Sequence, residues 1–371
     1  MATELKAPGP TDFARQGGRI RALDGLRGVA VLAVIGFHGG VPLTSGGFIG
    51  VDVFFVLSGF LITSIIATEQ QLTGRISLKN FYLRRLLRLA PALLLLLAVY
   101  CVYSLLFSRT PQRNLVDALI ALFYAMNWAR AYWLDAPLDL GHTWSLSSEE
   151  QFYLTWPLLL MLLLPKLGLT RTAWLALGLA LCSWAARAGL LWLGATDRRV
   201  YSGLDTHADG LLLGCALALA CTQLSSSQRR ITLPSMAPLA ALSVLGTILA
   251  LASWNARVMF FGGYALANAA AALVIASLVL GSSGRIGALV RAALELRPLV
   301  WVGGMSYGLY LWHYPIFRVL RAAGLGRFPT LGIGVLLTFA IAFASFKFVE
   351  KPALRLKKRY EFAAVGATTA R

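Results

Sequence analysis

Long apolar segments alternate with short polar connections along almost the whole chain. A membrane-spanning helix uses about 20 apolar residues, so a continuous apolar stretch of that length predicts one span. The apolar segment 115–128 is shorter and predicts a re-entrant or interfacial helix. We therefore predict an all-α, polytopic membrane protein with about ten transmembrane helices, at residues 22–41, 47–67, 90–107, 144–165, 172–194, 207–223, 232–253, 260–281, 298–320 and 330–349.

The lysines and arginines concentrate in every second connection between these segments. If the N-terminus is cytoplasmic, 23 of the 34 basic residues fall in inside segments and 8 in outside segments. Cytoplasmic connections carry the excess of basic residues in membrane proteins, so we predict that both termini are cytoplasmic. The predicted domains are a cytoplasmic N-terminal tail at 1–19, a membrane domain at 20–352 and a basic cytoplasmic C-terminal tail at 353–371.

Composition agrees with a membrane protein. The 371 residues are 58% hydrophobic and 13% charged, whereas about a quarter of the residues in a soluble domain are charged. The positive-inside pattern accounts for the net charge of +18, and no nucleic-acid-binding motif occurs. The histidines and cysteines show no metal-ligand spacing. We predict no nucleic-acid partner, no metal site and no bound cofactor; the partner of the apolar surface is the lipid bilayer.

The segment RALDGLRGVAVLAVIGFHGG places Arg27 and His38 in the first apolar segment. An ionisable residue in a membrane span is costly and by default indicates a functional site. Eleven positions on a helix give a rise of about 16 Å with both side chains near one face. We expect a fixed cation at one depth and a titratable imidazole near the middle of the membrane. Histidine is the most frequent general base, which makes His38 the candidate base.

A second polar cluster, GHTWSLSSEEQFYLTWP, stands at the start of the predicted span 144–165. Its spacing resembles a capping box, with Ser147 as the helix cap and Glu150 three residues later. That structural interpretation is weaker for Glu149, which points to another side of the helix. A carboxylate beside a histidine can orient the imidazole, so Glu149 is a candidate partner of His38. Ser147 is also a conceivable acyl-accepting nucleophile, although nothing in the spacing selects it.

A third cluster, FYLRRLLRLAP, places Arg84, Arg85 and Arg88 on the predicted cytoplasmic side of a span. Positive-inside anchoring alone accounts for two or three arginines at this place. The i, i+3 and i, i+4 spacing also brings them together on a helix, and arginine side chains suit phosphate oxygens. The alternative to anchoring is therefore a binding site for a phosphorylated cytosolic donor.

Three further fragments contain polar residues inside or beside predicted spans. In SGGFIGVDVFFVLSGF, Asp52 is either a charge at a helix N-terminus or a buried partner of His38 or of an arginine. Asp205 and His207 occur in YSGLDTHADGLLLG, and His313 occurs in SYGLYLWHYPIF. For both of these histidines, packing in the bundle is the more frequent role.

Six fragments, in this order along the chain, resemble acyltransferase family 3, whose members are bacterial integral-membrane O-acyltransferases. The resemblance covers residues 20–352. The Arg-x10-His motif of the family corresponds to Arg27 and His38, its basic cytoplasmic motif to the three arginines, and its Trp-Ser-Leu-Ser-x-Glu motif to residues 144–149. The fragments are DGLRGVAVLAVIGFH, GGFIGVDVFFVLSGFLIT, FYLRRLLRLAP, TWSLSSEEQFY, SYGLYLWHYPIF and VEKP.

The resemblance implies transfer of an acyl group, acetyl or another short acyl, from cytosolic acyl-CoA to a hydroxyl group. The implied acceptor is a saccharide, a glycolipid or a glycosylated metabolite, and the implied location is the bacterial inner (cytoplasmic) membrane. His38, Arg27 and Glu149 are then catalytic, and the three arginines bind the donor. Arg27 either positions the donor or stabilises developing negative charge, and Glu149 either orients His38 or holds the sugar. Around them we place, as acceptor-binding or supporting residues, Asp52, Trp144, Ser147, Tyr153, Asp205 and His313.

The sequence leaves the chemical route and one rival function open. The acyl group passes either directly to the acceptor, with His38 as base, or through a covalent intermediate on the protein. Some family members carry a C-terminal extracytoplasmic hydrolase-like domain. This chain ends soon after Pro352, which favours direct transfer or a separate extracytoplasmic partner protein. The rival is a transporter or flippase of a polar lipid or lipid-linked glycan, since intramembrane charges serve such proteins as well.

Overall fold

The computed structural model describes residues 20–132, 139–227 and 231–357. Within these residues the chain is helical and has no β-strand. Short 3-10 turns lie at Gly47–Ile49 and Gly141–Thr143, and π-helical turns lie at Met259–Gly263 and Phe346–Glu350. The α-helices are α1 (Arg21–Gly39), α2 (Gly50–Thr73), α3 (Leu78–Phe107), α4 (Pro111–Leu122), α5 (Met126–Tyr132), α6 (Trp144–Trp192), α7 (Asp197–Ser202), α8 (Leu204–His207), α9 (Asp209–Ser226), α10 (Ala237–Leu251), α11 (Tyr264–Leu280), α12 (Gly284–Leu294), α13 (Arg297–Gly304), α14 (Ser306–Ala322), α15 (Arg327–Ser345) and α16 (Lys351–Lys357).

Seven helical segments in the described ranges are long and apolar enough to cross a membrane. The prediction of an all-α, polytopic membrane protein is therefore confirmed, while the number of crossings and the side of the termini stay predictions. Two predicted spans differ in detail. The segment 232–253 becomes helical only at Ala237, and the segment 298–320 is divided at Met305 into α13 and α14. The apolar segment 115–128 falls in α4 and α5, of 12 and 7 residues, which are too short to span.

Helix α6 consists of two helices joined at Gly168. The backbone of Gly168 has φ 70° and ψ 179°, a conformation with positive φ that glycine adopts without steric cost. Pro165 lies three residues before this break. One straight helix of 49 residues would be far longer than a bilayer is thick. The break at Gly168 instead separates two helices that correspond to the predicted spans 144–165 and 172–194.

The most extensive helix contact joins α2 and α9. A Cβ atom at Gly59 would lie 1.9 Å from the carbonyl oxygen of Leu211, and one at Gly214 would lie 2.1 Å from that of Val56. Glycine at both positions lets the two backbones touch, as small residues do at helix interfaces in membranes. Helix α9 also packs on α6 and α11, so this contact anchors α2 in the bundle.

The first test concerns this glycine contact. Gly59→Ala or Gly214→Ala forces the two backbones apart, since the new Cβ meets a carbonyl oxygen rather than a flexible side chain. We expect a loss of about 1–3 kcal/mol in the free energy of unfolding, seen as a lower melting temperature in detergent. The matched control is Gly246→Ala in α10, where nothing lies within 4 Å of the added atom. Equal melting temperatures for all three variants would contradict the close packing.

The second test concerns orientation. Gln71, near the end of α2, and Asn255, between α10 and α11, are both exposed. The basic-residue pattern puts the first on the cytoplasmic side and the second outside. In a cysteine-free background, a membrane-impermeant thiol reagent applied to intact cells should label Asn255→Cys and leave Gln71→Cys unlabelled until the cells are opened. Labelling of both in intact cells would reject the predicted topology.

Candidate active site

Helices α1, α2, α3, α6 and α14 surround a space within the bundle, which we call the central cleft. It encloses about 750 Å³, its open part included. Much of its wall is the apolar face of α2, whose lining residues recur every three or four positions, as one helix face requires. The polar residues that line the central cleft come from all five helices and are Arg27, Ser58, Arg85, Arg88, Ser145, Glu149, Ser306, Tyr307 and Tyr310.

Glu149 lies on the wall of the central cleft, and its hydrogen-bond partner is on α2. The hydroxyl of Ser58 donates to Oε1 of Glu149 over 2.6 Å. We predicted that Glu149 orients His38; the structure instead pairs Glu149 with Ser58, and His38 is not among the lining residues. Glu149 therefore supplies negative charge to the cleft and does not hold the imidazole.

Two guanidinium groups line the central cleft without a carboxylate partner. Nε and Nη2 of Arg27 donate to Oγ of Ser306 over 3.2 and 3.1 Å, which fixes the side chain but leaves its charge unneutralised. Arg88 lines the same cleft, and in the described ranges no carboxylate lies within 4 Å of it or of Arg27. With Arg85, whose nearest carboxylate is that of Glu150, the lining holds three cations against one anion, Glu149, which is hydrogen-bonded to a neutral serine.

The three arginines of α3 have different surroundings. Arg84 lies 3.9 Å from Glu69 and is not a lining residue of the cleft. The guanidinium carbon of Arg85 lies 3.5 Å from the ring centre of Tyr153, and Nε lies 3.6 Å from Glu150. Arg85 and Arg88 therefore line the central cleft together, whereas Arg84 does not; a role of the three in donor binding stays a prediction.

His38 belongs to a group of three histidines, which with His142 and His313 we call the histidine cluster. Nδ1 of His38 lies 3.1 Å from Nε2 of His313, and the rings of His142 and His313 have their centres 5.7 Å apart. His38 is in the last turn of α1. The helix ends one residue later at Gly39, and the expectation that the imidazole lies near the middle of the membrane stays a prediction.

A proline on α14 explains how His142 is held. Pro315 has no backbone N–H, so the carbonyl of Leu311, four residues earlier, has no donor in its own helix. Nε2 of His142 lies 3.1 Å from that oxygen and supplies the missing hydrogen bond. The other ring nitrogen of His142, Nδ1, is buried without a partner.

Tyr310 connects the central cleft with the histidine cluster. Its hydroxyl lies 2.7 Å from Oγ of Ser145, a second lining residue, and donates to the backbone carbonyl of His142 over 2.8 Å. One turn later on the same helix, His313 contacts His38. Polar groups therefore continue from the cleft to the end of α1.

Asp52 pairs with His207. Its Oδ1 lies 3.0 Å from Nε2 of His207, and Nδ1 of His207 donates to the carbonyl of Tyr201 over 2.7 Å. Both side chains are buried. Asp52 lies in the first turn of α2, as one of the two alternatives predicted. Its buried partner is His207, not His38 or an arginine.

A second buried pair, Arg187 and Asp209, lies on the same side of α2 as Asp52 and His207. Both guanidinium Nη atoms of Arg187 donate to the carboxylate of Asp209 over 2.8 Å, and the amide of Asn268 donates to Oδ2 of the same carboxylate over 3.1 Å. Arg187 has no exposed surface. A bidentate pair with additional donors is the arrangement that makes burial of two charges tolerable, so these residues hold α6, α9 and α11 together.

Four other predicted site residues lie outside the lining of the central cleft. The ring of Trp144 packs on those of Tyr201 and His207. Helix α6 begins at Trp144, so Ser147 is inside the helix and is not its cap; its hydroxyl donates to the carbonyl of Thr143 over 3.0 Å. Tyr153 lies beneath Arg85, as described above. Asp205 forms an ion pair with Arg199 near the surface.

Sequence reasoning assigned no role to several residues that the structure brings into the site. His142, Ser145, Ser306 and Tyr310 lie in fragments that were singled out, but their partners are distant in sequence. Ser58 was not predicted as a site residue, although a single polar residue in the apolar stretch VFFVLSGFLI indicates a polar contact within the bundle. The sequence does not show which helices pack against each other, and it is this packing that places Ser58 opposite Glu149.

Comparison with known proteins gives relatives that match most of the chain, and three of them are described here. The peptidoglycan O-acetyltransferase OatA of Listeria monocytogenes is 37% identical over 354 residues, covering 90% of this chain and 55% of that protein. The O-acetyltransferase OatA of Staphylococcus aureus is 34% identical, covering 89% and 56%. The putative peptidoglycan O-acetyltransferase YrhL of Bacillus subtilis is 37% identical, covering 90% and 54%. This chain thus spans about half the length of these relatives, and no solved structure matches.

A family model described as an acyltransferase domain matches residues 20–347. That range contains every lining residue of the central cleft and all three histidines of the histidine cluster. The chain belongs to acyltransferase family 3.

Proposed function

We propose that this protein is an O-acyltransferase of the bacterial cytoplasmic membrane that acylates a hydroxyl of a saccharide. The donor is cytosolic acyl-CoA, the acyl group is acetyl, and the acceptor is a peptidoglycan saccharide. The names of the relatives support the acetyl group and the acceptor. The observation that carries the proposal is the central cleft, where unpaired guanidinium groups are joined through Tyr310 to the histidine cluster.

The charges of the cleft support an anionic donor. Three guanidinium groups, of Arg27, Arg85 and Arg88, line the cleft together with one carboxylate, of Glu149. Burying an unpaired charge within a membrane protein is costly, and a phosphorylated ligand supplies the missing negative charge through strong, charge-assisted hydrogen bonds. Arg88 precedes the predicted span 90–107, which puts it on the proposed cytoplasmic side, where acyl-CoA arrives.

The distance between Arg27 and His38 separates their roles. Both lie on α1, and the eleven-residue separation corresponds to about 16 Å. Two side chains that far apart do not contact one tetrahedral reaction centre. Of the two roles considered for Arg27, donor positioning therefore fits the geometry, and stabilisation of charge at the reacting carbonyl does not.

The chemistry at His38 is acyl transfer with general-base assistance. The acceptor hydroxyl oxygen attacks the thioester carbonyl carbon while its proton passes to His38. The C–S bond then breaks, and the departing thiolate takes the proton from the imidazolium. The proposed course of the donor runs from Arg88 and Arg27 past Tyr310 and Ser145 to the end of α1. With this path, a donor that enters from the cytosol meets an acceptor that faces the outside at the end of α1.

The third test removes the proposed base. In His38→Ala the acceptor hydroxyl loses its proton acceptor, so the turnover number should fall by about 10²–10⁴-fold. Transfer is measured with purified protein in detergent, an acetyl-CoA donor and a soluble muropeptide acceptor, with the lipid-facing Gly246→Ala variant as control. Near-wild-type turnover of His38→Ala contradicts the assignment. Wild-type protein that transfers nothing in detergent, where no compartments exist, favours the transporter.

The fourth test separates donor binding from membrane anchoring. Arg88 lines the cleft and Arg84 does not, although both are arginines of the same helix. Loss of a charge-assisted hydrogen bond costs about 1.5–3 kcal/mol, so Arg88→Ala should raise the KM for acetyl-CoA by about 10- to 100-fold. Arg88→Lys should lose less, and Arg84→Ala should keep the wild-type KM. Equal KM values for Arg84→Ala and Arg88→Ala would support anchoring as the role of both residues.

A further inference from the structure

The contacts of His313 determine which of its ring nitrogens carries hydrogen. Nδ1 lies 2.6 Å from the carbonyl oxygen of Tyr310 and 3.2 Å from that of Leu309. A carbonyl oxygen only accepts hydrogen bonds, so Nδ1 is the donor in both contacts. In the neutral imidazole the other nitrogen, Nε2, then has a free lone pair and acts as an acceptor.

A second proton on His313 would create an unpaired buried charge. The side chain has no exposed surface, and in the described part of the chain no carboxylate forms an ion pair with it. The charged groups near this end of α1 are guanidinium groups: Arg321 donates to the carbonyl of His38 and Arg327 to that of Gly40. Additional positive charge at His313 is therefore disfavoured, and the neutral form is the one that fits.

The state of His38 follows from that of His313. Nε2 of His313 accepts, and the atom 3.1 Å away is Nδ1 of His38. For a hydrogen bond to form, Nδ1 of His38 must carry the hydrogen. The neutral His38 imidazole then has its lone pair on Nε2 and belongs to a half-buried side chain. The ring also hydrogen-bonds to the backbone of Val34, one turn earlier on α1.

We propose that His313 is the positioning residue of the reaction: it fixes the tautomer and ring orientation of His38 so that Nε2 is the base. This inference rests on the proposed role of His38. The chain of donors runs from Nδ1 of His38 to Nε2 of His313 and from Nδ1 of His313 to the Tyr310 carbonyl. It takes the place of the carboxylate that we had expected from Glu149. A neutral acceptor suits this position, since it orients the base without adding a buried charge.

The test compares two substitutions of His313 with different abilities to accept a hydrogen bond. The amide oxygen of His313→Gln can take the place of Nε2 and accept from His38, whereas His313→Leu fills the space without an acceptor. In serine proteases, forcing the catalytic histidine into the wrong tautomer lowers turnover by about 10⁴-fold. His313→Leu does not force the wrong tautomer on His38 but lets both tautomers form, so the loss should be smaller. We expect kcat to fall about 10- to 100-fold in His313→Leu, with recovery of most of the loss in His313→Gln, and an unchanged KM for acetyl-CoA in both.

A double variant separates positioning from a structural role. If His313 acts through His38, adding His313→Leu to His38→Ala causes no further loss of turnover, because effects of residues that act as a unit are not additive. Ser277→Ala in α11 is the matched control, a buried hydroxyl whose hydrogen bond is to its own helix; its turnover should be wild-type.

The outcomes distinguish this inference from the proposed function. Wild-type kcat in His313→Leu, together with an inactive His38→Ala, rejects the positioning role and leaves His38 as the base. Equal losses in His313→Gln and His313→Leu, or a further loss in the double variant, also reject it. Full activity of His38→Ala rejects His38 as the base and this inference with it, whereas wild-type protein that transfers no acyl group rejects the proposed function itself.

Discussion

Charge in an apolar bundle must have a partner beside it, and this constraint divides the polar residues of the protein into two groups. One group is paired internally: Arg187 and Asp209 form a bidentate pair, and Oδ1 of Asp52 pairs with His207. The other group is open, because among the described residues the guanidinium of Arg27 hydrogen-bonds to a neutral serine and to no carboxylate. The paired group lets the helices pack, and the open group leaves charge for a ligand.

The two groups lie on different sides of α2. Its contact with α9 is backbone against backbone at Gly59 and Gly214, beside the paired group, while another face lines the central cleft. The rigid side of α2 therefore fixes the position of Ser58 on the cleft side, and through it the carboxylate of Glu149. Packing and site are linked within one helix.

The apolar pattern alone predicted the fold class, because span length and helical structure follow directly from the bilayer as solvent. It also placed Arg27 and His38 on one helix. The partners were not predictable, since Ser306 and His313 come from a helix some 280 positions later. The capping box was wrong for a local reason: a 3-10 turn at Gly141–Thr143 leads directly into α6, so the helix starts before Ser147.

The proline of α14 has a consequence for the order in which the protein assembles. A helix that enters the bilayer alone with Pro315 has one carbonyl, that of Leu311, which its own backbone does not satisfy. Lipid offers no donor, and the need is met only when the segment before α6 brings His142 to it. This hydrogen bond therefore favours contact between two segments 169 residues apart once both are inserted. The contact that satisfies the helix of Pro315 is therefore the same contact that holds His142 in the histidine cluster.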